Sequence, residues 1–132
     1  MNILVTGSRS EKFAKENEDR IRKEIQEAIG PPFSTRTITL IHGGCSGVDA
    51  ISEKIFHGMG LESKEMGWAI VSVGVNHELD GSWPGAGPRR NSRMLDEKPD
   101  LVLAFPGPDS RGTWDCIKQA VARGIRVEIP GR

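Results

Sequence analysis

Three short stretches combine glycine with residues able to hold an anion. They are Thr6-Gly7-Ser8-Arg9, His42-Gly43-Gly44-Cys45-Ser46-Gly47-Val48-Asp49 and Pro106-Gly107-Pro108-Asp109-Ser110-Arg111-Gly112-Thr113. Each follows an apolar run and leads towards a helical pattern. Glycine takes φ > 0 readily and lets the backbone approach a ligand closely. A helix start offers free N–H groups and the positive end of its dipole. Together these suit a phosphate or another anion. Ser8, Ser46 and Thr113 can add hydroxyl donors, and Arg9, Arg89, Arg90 and Arg111 can add charge to the same rim. One glycine-rich turn is ordinary turn chemistry, whereas three at one edge of a sheet point to a site.

The other chemistry-bearing residues are few. Asp49, one turn into a helix, suits either a ribose hydroxyl or the capping of a neighbouring loop. Trp83, in a polar stretch rich in Gly and Pro, suits stacking of a base, while Trp68, just before a strand, reads as core. His42, His57, His77, Cys45 and Cys116 show no metal-ligand spacing, so no metal is expected. Cys45 reads as a small filler beside a glycine, with no base identifiable for it, and His42 as a strand-end residue. Neither G-x-G-x-x-G after the first strand nor G-x-x-x-x-G-K-[ST] occurs, which gives no support to an ordinary NAD-dependent dehydrogenase or a Walker-type ATPase. No cofactor is expected.

The elements that must position these residues follow from hydrophobic patterning. Five apolar runs start at Ile3, Ile38, Ala69, Leu101 and Ile125. Most are continuous, as in parallel strands covered on both faces. Their spacing fits repeated strand–helix–strand units of about 30 residues. Ile21, Ile25, Ala28 and Ile29 form one face of an amphipathic helix that Gly30-Pro31-Pro32 ends. Further helices are predicted over Val48–His57, Arg89–Asp96 and Thr113–Arg123. The stretch Gly74–Pro88, with four glycines and two prolines, reads as a loop over the sheet. The predicted fold is therefore α/β: one Rossmann-like domain over residues 1–132, with a mainly parallel sheet of about five strands and helices on both faces.

Bulk properties narrow the classes. A chain of 132 residues makes about one domain. Its 18 Lys plus Arg balance its 18 Asp plus Glu, which argues against nucleic-acid binding through a wholesale basic face. No apolar run approaches the roughly 18 residues of a membrane span, so no membrane partner is expected. No secretion signal is visible, and two cysteines are too few for a disulfide framework, so a reduced cytoplasmic protein is expected.

These strings resemble the YspA-type, YpsA-related branch of the SLOG superfamily. The resemblance rests on Ile3–Arg9, His42-Gly43-Gly44 with Gly47-Val48-Asp49, Ala86–Met94, Pro99–Gly107 and Arg111-Gly112-Thr113, in family order. It implies a Rossmann-like fold that binds nucleotides or nucleotide-derived ligands. The superfamily includes the LOG phosphoribohydrolases, the DNA-processing protein DprA and ligand-sensing modules. The LOG enzymes carry P-G-G-x-G-T-x-x-E. Here Pro106-Gly107 and Gly112-Thr113 match, Pro108 replaces the second Gly, and Cys116 stands at the Glu position. Asp115 is its neighbour, but one residue turns a helical side chain by about 100°. Arg90-Asn91-Ser92-Arg93-Met94 resembles the LOG element R-K-x-x-M, so Arg90 matches a substrate-contacting arginine. The binding half of the signature is present and the catalytic half is not.

The expected function is thus binding of a nucleotide or nucleotide-derived small molecule at the strand ends, for sensing or sequestration. The expected ligand-binding residues are Gly7, Ser8, Arg9, Gly43, Gly44, Arg89, Arg90, Asn91, Gly107, Arg111, Gly112 and Thr113, with Trp83 for base stacking. One alternative is an N-glycosidic hydrolase of nucleoside monophosphates with Asp115 or Asp49 as the acid. Another is a DprA-like DNA-associated protein, which the neutral charge disfavours. Analogy with LOG relatives also admits a homodimer or higher homo-oligomer.

Overall fold

The apolar run at Ile3–Val5 forms the middle of β1 (Asn2–Gly7), the central strand of the sheet. The computed structural model of the chain describes residues 1–30, 37–59 and 68–131. After β1 come α1 (Glu11–Glu16), α2 (Glu18–Ile29), β2 (Thr39–His42), α3 (Val48–Gly58), β3 (Ala69–Ser72), α4 (His77–Asp80), α5 (Ala86–Leu95), β4 (Leu101–Phe105), α6 (Arg111–Ala122) and β5 (Val127–Glu128). All strand pairs are parallel, in the order β3-β2-β1-β4-β5. The fold is therefore α/β with a five-stranded Rossmann-like parallel sheet, as the spacing of the apolar runs predicts.

Strand periodicity sorts the core into two layers, because successive side chains point to opposite faces. Ile3 and Val5 of β1, with Leu40, Leu101 and Leu103, meet Ala14, Ile21, Ile25, Ile29, Val48 and Ile55 from α1, α2 and α3. Leu4, Ile41 and Val102 face the other way, onto Met94 and Leu95 of α5 and Cys116 and Ala120 of α6. Trp68 packs against the first layer, with its ring 5.8 Å from that of Phe56.

Several boundaries differ from the sequence expectation. Helix α1 was not anticipated. At six residues it is too short to show a hydrophobic period, and its start is set by Ser10, whose hydroxyl accepts from the Phe13 N–H. Helix α6 begins at Arg111 rather than Thr113, so Arg111 and Gly112 belong to its first turn. Gly30 caps α2 at φ 86°, while Pro31 and Pro32 lie outside the described residues.

The largest correction concerns Gly74–Pro88, which is a folded segment rather than a loop. It contains α4, capped by Asn76, whose side chain accepts from the Glu78 N–H. Asp80 is buried and grips Arg93 of α5 through two bonds, Nε–Oδ1 at 2.7 Å and Nη2–Oδ2 at 2.6 Å. Arg93 also donates to the Gly74 carbonyl, and Arg89 donates to the Asp80 carbonyl. Helix α5 then starts at Ala86, three residues earlier than expected. Pro88 fits its first turn because an N–H there has no intrahelical partner to lose. Among the described residues, no helix is long and apolar enough to cross a membrane.

Candidate functional site

The strand order changes direction at β1. β2 and β3 lie to one side, β4 and β5 to the other. Chains leaving β1 and β4 at their carboxyl ends therefore part and open a crevice, the usual ligand position in such sheets. A cleft of about 830 Å³ lies there. Its floor includes Thr6 and Gly7 at the end of β1. One wall is the start of α6 with Asp109 and Ser110 before it, and the other is the start of α5 with Trp83 and Pro84.

The α6 wall suits an anion. Among the described residues no side chain caps this helix; the Ser110 hydroxyl instead accepts from the Gly107 N–H at 2.7 Å. Arg111, Gly112 and Thr113 of its first turn line the cleft, at the positive end of the helix dipole. Arg9 and Arg111, both exposed, line the same end. The Arg9 backbone is fixed from across the β2–α3 turn: Ser46 Oγ donates to its carbonyl at 2.8 Å, and the Val48 N–H donates to Ser8 O at 2.9 Å. Gly47 makes this stitching possible. It sits at φ +77°, where a Cβ would collide with the Ser8 and Arg9 backbone.

Behind the cleft lies a buried polar cluster. Arg90 is 6% exposed. Its Nη1 donates to the Gly43 carbonyl at 2.8 Å and its Nε to Asn91 Oδ1 at 3.1 Å. Gly43 leaves room for this guanidinium, since a Cβ there would fall 2.7 Å from Nη1. Asp49 Oδ2 accepts the N–H groups of Gly43 and Cys45 at 3.1 and 3.2 Å. Burial pushes the Asp49 carboxyl above its ordinary value, against the opposing pull of those N–H groups, His42 and Arg90. Of the two roles open to Asp49, loop capping is thus observed directly.

Asn91 and Asp115 continue the network along the cleft. Asn91 Nδ2 donates to the Gly112 carbonyl at 3.0 Å and to Asp115 Oδ2 at 2.9 Å. Gln119 Nε2 donates to the same Oδ2 at 2.8 Å and to the Pro88 carbonyl at 2.9 Å. Cys116 points away, into the core layer under α6. Burial, followed by the nearby Asp115 charge, pushes its thiol up to about 12.

Of the residues expected from sequence, Gly7, Arg9, Arg90, Asn91, Arg111, Gly112 and Thr113 line the cleft, together with Asp49, Asp115 and Trp83. Ser8, Gly43, Gly44, Arg89 and Gly107 do not. Ser8 is buried against Gly107 and accepts from the Ser10 N–H. The Gly44 N–H donates to His42 Nδ1. Arg89 turns to α4. Thr6, Pro84, Gly87, Pro88 and Met94 also line the cleft, although none is among the ligand-binding residues expected from sequence. The last three lie on α5, whose early start through Pro88 was not legible. Trp83, 55% exposed, stands edge-on to His77 with ring centres 5.9 Å apart. Among the described residues, no group of three or more His, Cys, Asp or Glu side chains is disposed to hold a metal ion, and both cysteines are free thiols.

Fold and site define a Rossmann-like α/β protein with a polar cleft at the switch point of its parallel sheet. No family model matches the chain. Among curated proteins it is 32% identical over 132 residues to the Gene 61 protein of Mycobacterium phage D29, covering 95% of this chain and 92% of the phage protein. The chain belongs to the family of that Gene 61 protein. Among solved structures it is similar to the X-ray structure of DNA processing protein A (DprA) from Streptococcus pneumoniae, with 17% identity and a TM-score of 0.42. That match covers 96% of this chain and 58% of the DprA chain, so this chain spans less than two thirds of DprA.

Proposed function

We propose that the protein binds a nucleotide or nucleotide-derived ligand in this cleft, to sense or sequester it. The observation that carries the reading is the convergence of an uncapped helix start with Arg9 and Arg111 at one end of the cleft, and Trp83 on the opposite wall. The first group suits a phosphate and the second the flat face of a base. A volume of about 830 Å³ lies within the usual 300–1,000 Å³ of small-molecule sites. The likeness of the Gly112-Thr113 and Arg90–Met94 strings to the SLOG superfamily supports the same reading.

Hydrolysis of an N-glycosidic bond receives less support. Asp49 is engaged by two backbone N–H groups, Asp115 by two amide donors, and Cys116 faces the core. Neutral net charge likewise gives little support to a DNA-associated role. The test is native mass spectrometry of the purified chain with AMP, other monophosphates, NAD, ADP-ribose and cyclic nucleotides. An adduct of intact ligand mass is expected, and the same spectrum counts subunits. Release of free base with ribose phosphate would make the protein a hydrolase, and absence of any adduct would remove the nucleotide reading.

A further inference from the structure

Among the described residues, Asp115 is the acid of the cleft whose carboxylate is held by side chains of two helices. Its Oδ2 takes two hydrogen bonds, from Asn91 Nδ2 at 2.9 Å and Gln119 Nε2 at 2.8 Å. Each donor is itself tied to backbone, Asn91 to the Gly112 carbonyl and Gln119 to the Pro88 carbonyl. The carboxylate plane is therefore fixed by α5 and α6 together. Its Oδ1 receives no hydrogen bond from the described residues, while Asp115 lines the cleft. Asp49 differs, being 5% exposed and set beside the Arg90 guanidinium.

An ionised carboxylate only accepts hydrogen bonds. The ligand group that meets Oδ1 must therefore donate, which excludes the phosphate and points to a hydroxyl or an amine. Position along α6 decides between these. Asp115 lies two and three residues beyond Thr113 and Gly112, a rise of about 3–4.5 Å at 1.5 Å per residue. A phosphate on the first turn of α6 thus lies a few ångströms from this carboxylate. In a nucleotide the part at that distance from the phosphate is the sugar. The base lies farther off, towards Trp83, which abuts Gly87 in the first turn of α5.

We infer that Asp115 is the acceptor for a sugar hydroxyl and makes the site selective for ribose over deoxyribose ligands. Its role is recognition. Both amide nitrogens donate to its carboxylate, which meets the ligand as an acceptor. The inference rests on the nucleotide reading above and narrows it to ribonucleotide-type ligands.

The experiment is titration calorimetry on the full chain with a ribonucleoside 5′-monophosphate, its 2′-deoxy and 3′-deoxy counterparts, and a second base on the same ribose. The parent protein should bind the ribonucleotide at least about tenfold more tightly than one of the deoxy forms, because a charged acceptor left without its donor costs about this much or more. In Asp115→Asn and Asp115→Ala that ratio should fall towards one. Equal affinity of the parent for ribo and deoxy forms, or a ratio that survives both substitutions, overturns the inference while leaving nucleotide binding intact. Strong dependence on the base with none on the sugar would assign Oδ1 to an amine and overturn it equally. If the parent binds none of these ligands, the underlying reading fails, and this inference with it. The parent's own ratio needs no variant, so a misfolded substitution does not shelter the claim.

Discussion

Replacing Arg90 with Met should cost more stability than any exposed change around the cleft. Arg90 is 6% exposed and donates to the Gly43 carbonyl at 2.8 Å and to Asn91 Oδ1 at 3.1 Å. Bonds from a charged donor contribute about 1.5–3 kcal/mol each. Loss of the guanidinium also leaves the Gly43 carbonyl without its partner, at about 1–3 kcal/mol. Asp49 lies near enough to feel the guanidinium charge but forms no ion pair with it among the described residues. These terms overlap, so Arg90→Met should lose about 3–5 kcal/mol in all. With a urea m-value of about 2 kcal/mol/M, the unfolding midpoint should fall by roughly 1.5–2.5 M. The loss should also depend on pH. Burial raises the Asp49 carboxyl and Arg90 is among the groups pulling it down, so the substitution raises it further. A carboxyl whose native pKa exceeds its unfolded value makes stability fall as pH rises through that interval. The deficit of Arg90→Met should therefore be larger at neutral pH than near pH ~4, where the unfolded carboxyl titrates. A loss below about 1 kcal/mol, or one that grows on acidification, would refute the reasoning that Arg90 holds the Gly43 turn and lowers the buried Asp49 carboxyl.

Three further outcomes follow from the same geometry. Arg93 holds Asp80 down to about 2, so its contribution is present above the ordinary carboxylate range near pH ~4 and is lost as pH falls towards about 2. The melting temperature of Asp80→Asn should lack that acid-side fall, and a profile matching the parent's would contradict the clamp. Gly47→Ala should destabilise by at least about 1–3 kcal/mol, measured by urea unfolding, because it forces a side chain into φ +77° against the Ser8 and Arg9 backbone. In the native protein a thiol reagent should modify Cys45, which is half-buried at the cleft, and spare Cys116, whose thiol is fully buried and raised to about 12. Added nucleotide should slow the Cys45 reaction, and rapid labelling of Cys116 would contradict the packing of α6.

The sheet was legible because its signal is simple. Parallel strands covered on both faces read as continuous apolar runs, and β1, β2 and β4 are of this kind. Helix α2 was legible from the spacing of Ile21, Ile25 and Ile29, all buried. Helices α1 and α4 were not, because six and four residues hold no period. Their stability comes from caps and from the Asp80–Arg93 pair, a contact between residues 13 apart that no local pattern announces. In the site, the glycine turns marked the correct edge of the sheet but not which atoms face the cleft. Strand alternation ends at Gly7, so Ser8 turning inward and Arg9 outward follows from the turn rather than from a period. Gly43 looked like a ligand contact, yet the Arg90 side chain occupies the space in front of it. A glycine needed for close approach reads the same in sequence whether the approaching group is a ligand or the protein itself.

The most direct measurement of the central claim is an amide ¹⁵N–¹H titration of the labelled protein with a ribonucleoside monophosphate. The account predicts shifts concentrated at Gly7, Arg111, Gly112, Thr113 and Asp115, with Gly131, on the separate hollow beside Phe13 and Arg20, unmoved. Shifts confined to other surfaces, or none at millimolar ligand, would contradict it.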